Sequence, residues 1–321
     1  MIAIIEITKK CNLKCRHCGI GVRGEDLSLP ILLQGLTSLE DYFDDFRFVG
    51  GEPLMTPDRL EEAIAMVANW DKPISITTNG LLVKGLKKQI KKWNLYSVCL
   101  SMDGSEVSHD VQRGRAGAFE SVKEAGYILA ELGIRIQVSF CLTKLNYHDV
   151  EAVYKFCEQV DAEFLRIQPM VPMQEKNREI LLLPHELKAV LEDYSKIRGE
   201  VDIIIPQGLC LLPHTKHCVA GEMWIYVCSD GVVMPCIYAP LPIGHIGDDP
   251  VNMLIERAQF KKPAHGCRSC DYYLSCRGGC RGGSLMYFND INAPDPNCWI
   301  AQEKGYCQQF LAEKALQVNR I

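Results

Sequence analysis

Short apolar runs recur through the first two-thirds of the chain, separated by amphipathic stretches. The runs are Ile2–Ile7, Phe46–Val49, Ile74–Thr77, Ser97–Met102, Ile134–Leu142 and Phe164–Gln168. Their brevity and β-branched content predict buried strands. Between them the apolar positions take a helical period. Thr56-Pro57 opens one predicted helix, with proline in its first turn and Leu60, Ala63, Ile64 and Val67 on one face. Another carries Phe119, Val122, Gly126 and Leu129. Strands alternating with helices predict an α/β fold built on a parallel sheet with helical crossovers. Such sheets gather ligands at the carboxyl ends of their strands. The segment around Cys11, the Gly50–Pro53 segment, Asn79 and the Ser101–Asp103 segment all fall at such ends.

The character of the chain changes after Val201–Ile205. Of 16 cysteines among 321 residues, ten fall between Cys210 and Cys307. The first strand begins at residue 2, so no signal peptide and no fused leader-binding domain is expected, and no apolar run is long enough to span a membrane. A cytoplasmic protein is expected, and in a reducing compartment dense cysteine means metal rather than disulfides. Net charge is −5, and the lysine-rich stretch Lys84–Lys92 reads as the wet face of a helix carrying Leu86, Ile90 and Trp93. That charge argues against a nucleic-acid partner. Gly278-Gly279 and Gly282-Gly283 lack the remainder of a phosphate-loop motif and read as backbone passing close to a metal group.

Cys11, Cys15 and Cys18, in KKCNLKCRHC, carry the sharpest chemical signal. Three thiolates on one tight loop can take three corners of a [4Fe–4S] cluster and leave the fourth iron open to a ligand. A zinc site completed by His17, or three buried structural thiols, are the alternatives. The segment CNLKCRHC resembles the signature of the radical S-adenosylmethionine (SAM) enzymes, with His17 in the aromatic slot. That resemblance implies an open six-strand partial (β/α)6 barrel, chelation of SAM at the open iron, and reductive cleavage to a 5′-deoxyadenosyl radical. It further implies that Gly50, Gly51, Glu52 and Pro53 meet the amino group of SAM. Ser101 and Arg113, with Asn79 and Asp103 nearby, are expected to help hold its ribose or carboxylate. His109 and Asp110 are expected to order the loop before Arg113.

The later cysteines follow C-x12-G-x4-C at Cys218, Gly231 and Cys236, then C-x2-C-x5-C-x3-C at Cys267, Cys270, Cys276 and Cys280, then Cys298. This resembles the SPASM extension of radical SAM enzymes, which implies two auxiliary clusters and three [4Fe–4S] clusters in all. Carried over by position, auxiliary cluster I takes Cys218, Cys236, Cys280 and Cys210, and auxiliary cluster II takes Cys267, Cys270, Cys276 and Cys298. Structural zinc is the alternative for this region. Cys99, Cys141 and Cys157 read as core, Cys228 as strand packing, and Cys307 as structural. Met170 and Met173, beyond the sixth strand, read as substrate-channel lining or as core filler.

The expected organisation is a radical SAM core over 1–205, a small cysteine-rich SPASM domain with a β-hairpin and short helices over 206–300, and a C-terminal helix over 301–321. The first expected activity is oxidation or crosslinking of a peptide or protein side chain. A separate leader-peptide recognition protein and a flavodoxin or ferredoxin reductant are the expected partners. The alternative is a maturase or dehydrogenase acting on a small molecule or cofactor precursor, a tetrapyrrole among them. An electron carrier without SAM chemistry would leave the strand-end motifs unexplained. No general base is evident. Ile237 stands where sulfatase-maturing relatives carry an aspartate, which argues against that activity.

Overall fold

The computed structural model describes residues 1–19, 25–205, 218–256, 264 and 266–309. Alternation along the first apolar run decides its packing. In strand β1 (Ile2–Glu6) Ala3 and Ile5 are fully buried among helical side chains, while Ile2 and Ile4 keep some exposure on the other face. The chain then alternates through α1 (Leu29–Thr37), β2 (Asp45–Val49), α2 (Pro57–Ala68), β3 (Ile74–Thr78), α3 (Lys87–Lys92) and β4 (Ser97–Ser101). There follow α4 (Glu106–Arg113), α5 (Ala118–Glu131), β5 (Arg135–Leu142), α6 (Val150–Gln159), β6 (Phe164–Pro169), α7 (Pro184–Tyr194) and β7 (Asp202–Ile204). Leu60, Ala63, Ile64 and Val67 are the buried face of α2, as their spacing predicts. They pack with Phe46, Phe48 and Ile76 in one apolar layer between sheet and helices.

The sheet is larger than the six predicted strands. Its order is β10-β9-β8-β1-β2-β3-β4-β5-β6-β7, ten strands in all, with β8 (Trp224–Val227), β9 (Val232–Met234) and β10 (Gly244–His245). β1 to β7 pair in parallel, each with its neighbour in sequence. β8 joins β1 in parallel, Ile2 opposite Trp224, and the β8–β9 hairpin places the cysteine-rich region on the same sheet. Among the described residues the sheet keeps two free edges and does not close into a barrel. Beyond it lie α8 (Pro250–Glu256), α9 (Tyr273–Cys276), α10 (Arg281–Phe288) and α11 (Trp299–Glu303). These last four are short helices, so loops and side-chain bonds hold that region.

Candidate active site at the strand ends

The loop leaving β1 is clamped by its neighbours. The Gly51 N–H donates to the Thr8 carbonyl at 2.8 Å, and the Glu52 N–H to the Lys10 carbonyl at 2.7 Å. A Cβ on Gly50 would lie 2.6 Å from the Thr8 carbonyl oxygen, and one on Gly51 would collide with the carbonyls of Lys9 and Lys10. The two glycines are therefore required by backbone-on-backbone packing. Glu52 is 1% exposed. Its carboxylate accepts from Leu54 N at 3.1 Å, Thr78 Oγ1 at 2.8 Å and Asn79 N at 2.7 Å, tying this segment to the end of β3. Burial pushes its pKa up, and these three donors act against that shift. Asn79 Nδ2 donates to Asn12 Oδ1 at 2.8 Å, so the end of β3 holds the cysteine loop itself. Asn12 is a positioning group that no local sequence signal singles out. Pro53 is buried and opens a single helical turn.

On the other side, α4 supplies the cation. The Arg16 N–H donates to the Gln112 carbonyl at 2.8 Å, docking the loop on α4, and Arg113 Nη1 reaches Cys15 Sγ at 3.9 Å. Arg113 Nε lies 2.8 Å from Asp103 Oδ2 in a close charge contact that is not an aligned hydrogen bond. Asp103 is fully buried. It accepts the Cys141 N–H at 2.8 Å through Oδ1, and its own N–H donates to His109 Nδ1 at 3.0 Å. Burial pushes the Asp103 pKa up, but Arg113 and His17 outweigh it and the carboxyl ends below its ordinary range. Asp103 thus stands behind the cavity and orients Arg113, rather than lining it as the sequence reading expected. His17 Nδ1 is 3.7 Å from Asp103 Oδ2, and burial lowers the imidazole pKa to about 4, so the ring is neutral. His109 orders this corner, and Asp110 accepts the Phe119 N–H at 2.8 Å, holding the start of α5.

One cavity of ≈ 440 Å³ opens at these strand ends, within the usual range for a small-molecule site. Cys11, Cys15, Cys18, His17, Gly50, Gly51, Glu52, Asn79, Ser101 and Arg113 all line it. The Cys18 N–H donates to the Cys15 carbonyl at 3.2 Å, which folds the loop back and turns the three thiols into one space. Burial raises the Cys15 pKa to about 11, with Arg113 acting against it, so the thiolate needs a bound cation to persist. Among the described residues no three His, Cys, Asp or Glu side chains converge on a point as one metal ion requires. A cubane takes its thiolates on separate irons and has no such requirement. Three thiols, a nearby guanidinium and polar groups left over for a further ligand fit a SAM-binding cluster.

The later cysteines sort into two places. Cys267, Cys270, Cys276 and Cys298 line a single small cavity, the set expected for auxiliary cluster II. Burial pushes up the pKa of both Cys236 and Cys280; Cys218 adds to the shift at Cys236, and Asp295, then Cys218 and Cys236, add to it at Cys280. Cys210 lies outside the described residues. Cys280 and Cys298 sit at the amino ends of α10 and α11. Cys280 Sγ accepts the Gly283 N–H at 3.2 Å, which acts against the burial that raises its pKa, and Cys298 Sγ accepts the Ala301 N–H at 3.4 Å. Cys99, Cys157 and Cys228 are buried as expected. Cys141 is not simple core: it keeps partial exposure, and its thiol pKa is pushed up by burial and by Asp103, with Arg113 acting against them. Burial pushes the Tyr238 phenol pKa up, and Cys141, Cys236, Cys280 and Cys18 add to that shift, so thiols of both sets act on one side chain that the sequence does not single out. Met170 is core, and Met173 packs on Gly19 beside the cysteine loop.

These residues define a radical SAM enzyme, and residues 5–157 match the model of the Radical SAM superfamily. The chain thus carries a Radical SAM domain, which implies one [4Fe–4S] cluster and SAM as cofactors. It is 27% identical over 334 residues to the AdoMet-dependent heme synthase of Nitratidesulfovibrio vulgaris, covering 91% of this chain and 90% of that protein. It is 25% identical over 305 residues to AlbA, the antilisterial bacteriocin subtilosin biosynthesis protein of Bacillus subtilis, covering 87% of this chain and 66% of AlbA. Among solved structures it resembles Streptococcus suis SuiB bound to S-adenosylmethionine, with a TM-score of 0.72, 17% identity and coverage of 93% of this chain and 77% of SuiB. That likeness is one of fold. No helix among the described residues is long and apolar enough to cross a membrane.

Proposed function

We propose that this enzyme abstracts hydrogen from a carboxylate-bearing small molecule of the tetrapyrrole class, which then loses one further electron together with a proton or carbon dioxide; auxiliary iron–sulfur clusters would accept that electron. The observation that carries the reading is the charge of the cavity. Lys9, Lys14, Arg113 and Lys176 line it, against one carboxylate, Glu52, whose two oxygens already accept three hydrogen bonds. Lys9 pairs with Asp230 and Arg113 with Asp103, whereas Lys14 and Lys176 have no ion pair among the described residues. SAM brings one carboxylate; a second uncommitted cation calls for an anionic substrate. The resemblance over nine-tenths of both chains to a heme synthase supports the same class.

When bound, the cluster and SAM supply a 5′-deoxyadenosyl radical that abstracts hydrogen. The chain's own residues do the rest. Cys11, Cys15 and Cys18 hold the cluster, and the Gly50–Pro53 segment, Asn79, Ser101 and Arg113 hold SAM, with His17 packing as a neutral ring. Asp103 keeps Arg113 in place. Cys218, Cys236 and Cys280, together with Cys210, hold auxiliary cluster I; Cys267, Cys270, Cys276 and Cys298 hold auxiliary cluster II. This makes residues 206–300 a SPASM domain on a core of residues 1–205. A flavodoxin or ferredoxin supplies the first electron.

The second reading is a peptide or protein side chain as substrate, presented by a separate recognition protein. The relationship to AlbA favours it. One experiment separates the two: anaerobically reconstituted protein with dithionite and SAM is offered an iron tetracarboxylate porphyrin or a panel of cysteine-rich peptides. Porphyrin-stimulated 5′-deoxyadenosine with a mass loss in the porphyrin supports the first reading. Stimulation by peptide alone replaces it with the second.

A further inference from the structure

One carboxylate joins the two later cysteine sets. Asp295 is 2% exposed. Its Oδ2 accepts the Cys280 N–H at 2.6 Å, and its Oδ1 accepts the Asn297 N–H at 2.9 Å. Its carbonyl accepts the Cys298 N–H at 3.1 Å. Asp295 is also part of the wall around Cys267, Cys270, Cys276 and Cys298. Cys280 belongs to the other set, with Cys218 and Cys236.

An ordinary aspartate turn would use Oδ1 alone, bonding two residues ahead. The second oxygen instead crosses to a residue 15 positions away, and that bond is the one a turn does not need. The opposite side is shaped to receive it. Gly279 has φ +71°, and a Cβ there would collide with the Asp295 carboxylate. Arg281 completes the clamp, donating from Nη1 to the Ile291 carbonyl at 2.9 Å and from Nη2 to the Gly278 carbonyl. Two stretches of chain, 278–281 and 291–298, are thus fastened through two buried side chains, Asp295 and Arg281. Hydrogen bonds to a carboxylate are roughly twice as strong as neutral ones, which suits a region with short helices and little strand pairing.

We infer that Asp295 is the positioning residue that fixes the two auxiliary ligand sets against each other, so that neither cluster assembles normally without the other's ligand loop in place. It acts through Cys280 and Cys298. The inference rests on the iron–sulfur reading of these cysteines.

The test uses the full chain, reconstituted anaerobically, as wild type, D295N and C270A. Asparagine keeps the shape but offers a single acceptor oxygen, so one of the two N–H groups faces an amide nitrogen instead. The readouts are iron and sulfide per chain, Mössbauer spectra and the potentials of the auxiliary signals. The SAM-induced change in the EPR spectrum of the amino-terminal cluster serves as the control for folding. The wild type is expected to hold about twelve irons. D295N is expected to keep the SAM response while occupancy of both auxiliary sets falls at least twofold or both potentials move. Wild-type iron with unchanged auxiliary spectra in D295N overturns the inference, and so does loss confined to one set. A wild type holding about four irons and retained zinc overturns the inference together with the iron–sulfur reading beneath it. If D295N loses the SAM response, G279A, which crowds the same carboxylate, decides: joint loss supports the strut and loss at one set refutes it.

Discussion

At the amino-terminal site most ligand-bearing and ligand-facing groups follow the ends of strands, and Arg113 joins them from α4. Gly50 and Glu52 follow β2, Thr78 and Asn79 close β3, Ser101 closes β4, and Cys141 lies near the end of β5. In the carboxy-terminal region the thiols sit on loops and at the first residues of short helices, and the bonds that set their positions come from Asp295 and Arg281. A parallel sheet fixes a site through a buried apolar layer that is stiff before any ligand binds. Loops need either the ligand itself or dedicated polar struts. The first region is therefore expected to keep its shape without metal, and the second to depend on it.

The largest effect that sharpens this contrast comes from Cys15→Ala. It is expected to leave no 5′-deoxyadenosine above background and to remove about four irons, with the fold of the sheet intact by circular dichroism. Next, Cys270→Ala is expected to cost product formation more than SAM cleavage, since it strikes only the second region. Equal loss of both would mean that the two regions are not separable in function.

A smaller effect tests the stiffness of the strand-end scaffold by pH. His109 is 1% exposed, and burial, with Arg113 next, lowers its pKa to about 4 from an ordinary 6.5. The folded protein keeps the ring neutral, while the unfolded chain takes up a proton below its own pKa. Stability is therefore full above pH 6.5 and declines as the pH falls toward 4, by about 2 kcal/mol at pH 5. His109→Gln keeps an acceptor for the Asp103 N–H and should flatten that slope. Denaturant midpoints of both proteins at pH 7.5 and pH 5 check it, and parallel slopes would remove His109 from the account.

Smallest is Asn12→Ala, which deletes the 2.8 Å bond from Asn79. A loss of about 1 kcal/mol corresponds to roughly fivefold faster release of the amino-terminal iron to a chelator. Auxiliary iron should be released at the wild-type rate.

The sequence made the strands and the strand-end site legible for a physical reason: apolar periodicity and strand-end glycines are local. The six runs became β1 to β6, and the three thiols, the Gly50–Pro53 segment, Asn79, Ser101 and Arg113 converge as their order along the chain suggested. What was hidden is long-range. The membership of β8 in the main sheet depends on a pairing between Ile2 and Trp224 that no local pattern records. Asp103 is expected beside SAM from its place after β4, and only the fold shows its carboxylate beneath Arg113. Gly50 and Gly51 line the cavity, and only the fold shows that the carbonyls of Thr8, Lys9 and Lys10 also leave no room for a side chain at either. Asn12, Tyr238 and Asp295 act through partners distant in sequence, and nothing adjacent to them announces it.

The seat of β8 against β1 bears on how this protein is made. β1 is synthesised first, and one of its edges has no partner until β8 leaves the ribosome. Glu6, which ends β1, waits likewise, because its carboxylate is satisfied by Tyr226 Oη at 2.7 Å and by Ser229 Oγ at 2.9 Å, 220 and 223 residues later. At about 5–20 residues per second, that interval is roughly 10–45 s in which an apolar strand edge stands open beside an unmatched charge. Open edges recruit other strands. The nascent chain passes through a window in which aggregation competes with completion, and the charge on Glu6 discourages a foreign strand from settling where β8 belongs.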